Sequence, residues 1–188
     1  MKRNFKNVIN LILENYPVIV PTDTVYGLVC RYDSKEAVEK IYKLKKRDRK
    51  KPLILLGYDW KSLKKFVNLN KSSVKSIKLL KYLIKNKWPG PYTIILPASQ
   101  NVPKYLNKGF KTIGLRVPDN KFLLQGLKQC PDKVLASTSA NISGTSDLNP
   151  QKEIINKVKL FIKAKKDEMS LKPSSIIEFK KDIVKTIR

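Results

Sequence analysis

Val18-Ile19-Val20 stops at Pro21, and Thr22, Asp23 and Thr24 follow before the chain turns apolar again at Val25. Similar breaks mark the chain at Lys45–Pro52, Thr112–Pro118 and Ser137–Gly144, where a polar cluster meets an apolar strand-like run. Short apolar runs of this kind are strands with buried faces, and ligands gather where such strands end at a cleft. The pattern constrains the chain to a sheet whose strand ends carry its chemistry.

Helical spacing fills much of the rest. Phe5, Val8, Ile9, Leu11, Ile12 and Tyr16 lie on one helical face within residues 4–16, and Ala37, Val38, Ile41 and Leu44 on another. Asp33 with Glu36 predicts a capping box for the second helix, which ends by about Arg47 ahead of Asp48 and Pro52. Strands are predicted at 18–20, 52–56, 92–96, 112–117, 134–137, 175–179 and 183–187. Further helices are predicted at 60–67, 74–84, 118–127 and 150–164. Trp88-Pro89-Gly90-Pro91 is a hard turn. Strands and helices mix without strict alternation, so an α/β chain of the α+β type is expected, a mixed sheet with helices packed on it. No repeat, linker or domain boundary is visible, and residues 1–188 read as a single domain.

Composition removes several chemistries. The sequence has no histidine, and its two cysteines, Cys30 and Cys130, form no CxxC pair. Most zinc sites and any Ser-His or Cys-His nucleophile are thereby excluded. The cysteines read as buried small hydrophobes in a reducing, cytoplasmic setting. No apolar run approaches the roughly 18 residues of a membrane span. Forty Lys and Arg against fifteen Asp and Glu give a net charge of +25. Such a charge attracts polyanions, although the lysines are spread over the whole chain, as AT-rich coding bias would also produce.

Each cluster carries two readings. Thr22-Asp23-Thr24 is either a turn held by local hydroxyl and carboxylate bonds or the floor of a site. Lys45-Lys46-Arg47-Asp48-Arg49-Lys50-Lys51 either favours a helix C-terminus or grips a polyphosphate. Arg116, inside an apolar strand, must pair with a core carboxylate or face a ligand, and the scarcity of acids tilts the balance to a ligand. Ser137-Thr138-Ser139-Ala140-Asn141-Ile142-Ser143-Gly144 is a polar loop or a phosphate and ribose contact. Neither GxxxxGK[ST] nor GxGxxG is present.

Taken together, PTDTVYGL (21–28), KKRDRKKPL (45–53), WPGPYTIIL (88–96), LRVPDN (115–120), STSANISG (137–144) and PSSIIE (173–178) resemble the YrdC-like family of threonylcarbamoyl-AMP synthases, in its short form. The resemblance implies a YrdC/RibB-like twisted mixed sheet with helices enclosing a basic concave cavity. It also implies an enzyme, a nucleotidyltransferase. L-threonine, bicarbonate or carbon dioxide, and ATP would become threonylcarbamoyl-AMP and pyrophosphate. Mg²⁺ would be carried by the phosphates. A threonylcarbamoyl transferase complex would then modify tRNA beside the anticodon.

By residue, the resemblance assigns Thr24, Tyr26, Arg116, Ser137 and Ser174 to L-threonine, with Arg116 on its carboxylate. Lys45 and Arg47 would be catalytic and, with Lys51, would hold the phosphates. Thr112, Ser139, Asn141, Ser143 and Arg188 complete the nucleotide site. Asp23 would fix the local backbone. Leu56 stands where some relatives have a polar residue, and Ser146-Asp147 replaces a proline-containing stretch. Two other readings are a tRNA- or double-stranded RNA-binding module without catalysis and a carbamoyl-transfer domain of related fold.

Overall fold

The computed structural model describes residues 5–70, 72–142, 149–180 and 183–187. Its strands are β1 (Val18–Val20), β2 (Gly27–Arg31), β3 (Ile54–Gly57), β4 (Tyr92–Pro97), β5 (Thr112–Arg116), β6 (Val134–Ser139), β7 (Ser175–Lys180) and β8 (Ile183–Thr186). Its α-helices are α1 (Phe5–Leu13), α2 (Lys35–Leu44), α3 (Trp60–Leu63), α4 (Val74–Lys87), α5 (Lys104–Asn107), α6 (Lys121–Leu127) and α7 (Lys152–Ile155). The strands form one sheet in the order β1-β2-β6-β3-β5-β4-β7-β8. β3–β5 and β4–β7 are parallel and the other pairs antiparallel. The expected mixed sheet is therefore present.

Because successive side chains alternate across a strand, each strand feeds both faces. On one face Leu28, Leu55, Ile94, Leu115 and Ala136 join Ala37, Val38 and Ile41 of α2, Leu63 of α3, and Leu80 and Leu83 of α4 in a single core. On the other face Val18, Val20, Val29, Leu56 and Leu135 meet Val8, Ile9 and Ile12 of α1 and Leu123 and Leu127 of α6. Cys30 and Cys130 are buried, one in each core. No described helix is long and apolar enough to cross a membrane.

Several local expectations are corrected. Ser34, not Asp33, caps α2, its hydroxyl accepting from the Ala37 amide at 3.2 Å. Asp33 is engaged elsewhere, by both the Nε and Nη2 donors of Arg31 at 2.9 Å. The helix expected over 150–164 is only the four residues of α7. The chain beyond it runs beside the sheet's edge instead: Ile19 donates to Leu160 and Ile162 donates to Ile19, at 3.0 and 2.9 Å. The three-residue β1 would otherwise leave buried backbone groups unpaired on that side. The sequence reading also missed β2 and α5.

Gly57 ends β3 directly beneath α3, where an added Cβ would overlap the buried Leu63 side chain. Gly57→Ala is expected to lower the free energy of unfolding by about 1–3 kcal/mol, read by urea denaturation with unchanged m-value.

Candidate functional site

α1 and α6 cover only part of their sheet face. Beyond them the face is open, and a cavity of about 450 Å³ occupies it. Alternate strand residues make its floor: Ile54 and Leu56 of β3, Thr93 and Ile95 of β4, Thr112, Gly114 and Arg116 of β5, Ser137 and Ser139 of β6. Gly114 keeps the floor low, since a Cβ there would stand 2.9 Å from Ile54 Cγ2. The turn at 21–26 forms one wall, and Pro173 and Ser174 another.

That wall is a hydroxyl-built turn. Thr22 Oγ1 donates to the Val25 carbonyl at 2.7 Å, accepts from the Thr24 amide at 3.0 Å and lies 3.0 Å from Thr24 Oγ1. Thr22 thus shapes the turn and presents Thr24. A second layer holds the turn from outside: the Ser170 and Leu171 amides donate to the Asp23 and Thr24 carbonyls at 3.1 and 2.9 Å. Tyr26 lines the cavity while its hydroxyl accepts from the Ala164 amide at 2.9 Å.

Arg116 is 4% exposed. Its Nε donates to the Gly90 carbonyl at 3.1 Å, Nη1 to Thr24 Oγ1 at 2.9 Å and Nη2 to Asp23 Oδ1 at 2.6 Å. Of the two partners the sequence allowed, a core carboxylate or a ligand, the tilt toward the ligand is corrected by Asp23. A carboxylate does face it, supplied by the turn, and Asp23 contributes this side chain as well as its backbone. Burial pulls the guanidinium below its ordinary range, and the Asp23 charge opposes that shift. Asp23 Oδ2 is buried and has no hydrogen-bond partner among the described residues. Ser137 lies nearby on β6, 4% exposed, and Ser174 Oγ is 3.0 Å from Thr93 Oγ1.

A second group of cations flanks the β6 end. Lys45, at the C-cap of α2, is 1% exposed. Its Nζ donates to the Ser139 carbonyl and lies 3.5 Å from both Ser139 Oγ and Asn141 Oδ1. No carboxylate is among these contacts. Burial, and next the Arg47 cation, pull Lys45 down to about 7. Ser139 Oγ donates to Asn141 Oδ1 at 2.5 Å. Arg47 lines the cavity with its Nε and Nη2 on the Lys51 and Pro52 carbonyls, at 3.0 and 2.9 Å.

Thr24, Tyr26, Arg47, Thr112, Arg116, Ser137, Ser139, Asn141 and Ser174 thus share one cavity. Lys45 lies behind Ser139 and Asn141 rather than on the lining. The side chain of Lys51 is not on the lining either; the residue is exposed, and its carbonyl anchors Arg47 and the Tyr42 hydroxyl. Ser143, Arg188 and the Ser146-Asp147 segment lie outside the described residues. Leu56, 2% exposed, makes its stretch of floor apolar. The sequence reading missed Asp23 as the partner of Arg116 and Thr93 as the partner of Ser174. Only the three-dimensional turn and the β4–β7 pairing bring these together.

The family model described as "Telomere recombination", Sua5/YciO/YrdC, matches residues 10–188. The chain belongs to this family. Among Sua5/YciO/YrdC relatives, a threonylcarbamoyl-AMP synthase of Buchnera aphidicola subsp. Acyrthosiphon pisum is 38% identical over 76% of this chain and 79% of its own. A putative threonylcarbamoyl-AMP synthase of Methanocaldococcus jannaschii is 35% identical over 94% and 81%. The Sua5 protein of P. abyssi, crystallised with L-threonine, superposes with a TM-score of 0.82 at 26% identity. That match covers 98% of this chain but only 53% of the P. abyssi protein, so the chain spans about half the length of that Sua5.

The depressed Lys45 pKa has a definite sign. Between about 7 and the ordinary 10.5 the unfolded chain binds a proton that the folded chain does not, so stability rises with pH across that window. Below 7 the penalty for burying the charge is fully present. Other lysines also relieve repulsion as pH rises, so the difference from a variant isolates this one. The stability advantage of Lys45→Met over the wild type is expected to be largest near pH 6 and to shrink by a few kcal/mol by pH 10, measured by urea titration at each pH. A pH-independent difference would contradict the burial argument.

Proposed function

We propose that this chain is a threonylcarbamoyl-AMP synthase that condenses L-threonine, bicarbonate and ATP, releasing pyrophosphate and water. One observation carries the reading: the buried Arg116 cluster and Arg47 border a single cavity, with Lys45 close behind its Ser139 and Asn141 lining. An amino acid and a polyphosphate can therefore meet in it. The names of the relatives support the same reaction.

In this reading threonine's carboxylate meets the donors of Arg116 not already used, with Thr24, Tyr26, Ser137 and Ser174 around the rest of the molecule. A guanidinium has five N–H donors, of which three are accounted for. The phosphates lie toward Arg47 and Lys45, with Ser139, Asn141 and Ser143 on the α-phosphate and ribose. Thr112 contacts the nucleotide from the cavity floor, and Lys51 and Arg188 complete the nucleotide contacts in this reading. Threonine's amine and bicarbonate form a carbamate with loss of water. A carbamate oxygen then attacks the α-phosphorus, and the bond to the leaving pyrophosphate breaks. No protein nucleophile is required. The work is positioning and charge stabilisation, which cations and hydroxyls supply without histidine.

The donor set bears on Mg²⁺. Lys45, Arg47, Ser139 and Asn141 offer two cations and no carboxylate, which does not suit a protein-held magnesium ion. No step is assigned to the metal, which would enter on ATP's phosphates. The product would pass, in the cytoplasm, to a transferase complex acting on tRNA.

Incubating the protein with ATP, bicarbonate and L-threonine is expected to yield threonine-dependent pyrophosphate and threonylcarbamoyl-AMP by mass spectrometry. The absence of both across a range of Mg²⁺ concentrations would overturn the assignment. Arg116→Ala would strand a buried Asp23 charge, so Arg116→Lys is the cleaner probe of this end. It should raise KM for threonine by about 10-fold or more and leave KM for ATP within about two-fold. Arg47→Ala should instead lower kcat by about 10²-fold, as loss of a donor to developing phosphate charge does.

A further inference from the structure

The ion pair beneath the threonine end of the cavity has a consequence for what that end accepts. Arg116 is the cation nearest Thr24, and Asp23 lies against it at 2.6 Å with the two side chains 5% and 13% exposed. Water screens such a pair poorly. The pair is therefore close to neutral as seen by a ligand. A bare carboxylate arriving at Arg116 gains the guanidinium's attraction but meets the repulsion of Asp23. A ligand that also carries an ammonium group brings a countercharge for Asp23.

The hydrogen-bond accounting agrees. Asp23 Oδ1 accepts from Arg116, whereas Oδ2 is buried and accepts from no donor among the described residues. A buried carboxylate oxygen without a donor is costly, and a neighbouring positive charge offsets that cost. Arg47 and Lys45 differ in kind: their contacts are carbonyl, hydroxyl and amide oxygens. They carry no such discrimination against a bare anion.

We propose that Asp23 is a positioning and charge-balancing residue that makes the Arg116 end of the cavity selective for α-amino acid zwitterions over carboxylic acids lacking the amine. It acts through Arg116, fixing the guanidinium's plane, and through its own charge. The inference rests on the threonine reading above and adds the chemical class that the pair admits.

The test is calorimetric titration of the intact protein in bicarbonate-depleted buffer containing ATP. The ligands are L-threonine and 3-hydroxybutyrate, its deaminated analogue. The wild type should bind threonine at least about 100-fold more tightly than 3-hydroxybutyrate. Asp23→Asn keeps the shape and an oxygen for Arg116 but removes the charge. In that variant the ratio of the two dissociation constants should fall at least about 10-fold, because the analogue gains while threonine loses. Asp23→Glu should restore most of the ratio. A purely structural role for Asp23 would weaken both ligands together and leave the ratio unmoved, which would overturn the proposal. Should Asp23→Asn fail to fold, the wild-type ratio decides: binding of the two ligands within about three-fold of each other overturns it. If the wild type binds no threonine, the functional reading falls and this inference with it. If threonine binds and the ratio in Asp23→Asn is unchanged, only this inference falls.

Discussion

A guanidinium buried in the middle of a sheet is tolerated only where its donors are met. Arg116 satisfies this by bonding to two separate pieces of chain. Its Nε reaches the Gly90 carbonyl in the turn after α4, and its Nη atoms reach Thr24 and Asp23 in the turn between β1 and β2. The ties are reinforced on both sides. Gly90 donates back to the Val117 carbonyl at 2.9 Å, and the 170–171 amides hold the carbonyls of Asp23 and Thr24. One side chain on β5 thereby fixes two loops around the cavity. It ties the Thr24 hydroxyl of the 22–24 turn directly to the floor.

The cavity itself follows from unequal coverage of the two sheet faces. One face is sealed by α2, α3 and α4. On the other, α1 has nine residues and α6 seven, and their apolar side chains meet β1, β2, Leu56 and Leu135. Past that limit the residues on this face are no longer only apolar ones such as Val29, Leu56 and Leu135: further along β6 they are Ser137 and Ser139, and on β5 Gly114 and Arg116. The polar residues at the strand ends are what an uncovered sheet face requires, and they are also the chemistry of the site.

This explains how far the sequence could be read. Polar residues interrupting apolar runs marked Thr24, Arg116, Ser137 and Ser139 as strand-end positions, and all four line the cavity, because such breaks are a local property. The helix expected over 150–164 failed because the competing demand was not local. β1 needed a neighbour on its open side, and residues 160–162 supply it. The Asp23–Arg116 pair was invisible for the same reason: 93 residues separate its members, and no spacing rule links them. The expected Asp33 cap failed through competition from Arg31, a neighbour in sequence, whose two-point grip outweighs a single amide bond. Lys51, read as a phosphate contact from its place in a charge run, takes part through its backbone in the described structure.

The net charge of +25 is a poor guide to the site, because what distinguishes the buried cations is their company rather than their number. Arg116 is held against a carboxylate, whereas Lys45 is surrounded by neutral oxygens and pulled toward deprotonation. One end of the cavity is thus charge-balanced and the other is short of negative charge. A polyanion lowers its energy at the Lys45–Arg47 end, where it would also favour the protonated form of Lys45, and gains far less beside the Asp23–Arg116 pair. In the proposed reaction that asymmetry orients both reactants before any bond forms. In that reaction ATP would be drawn to one end and the amino acid left the other, bringing the carbamate toward the α-phosphorus over the floor between Arg116 and Ser139.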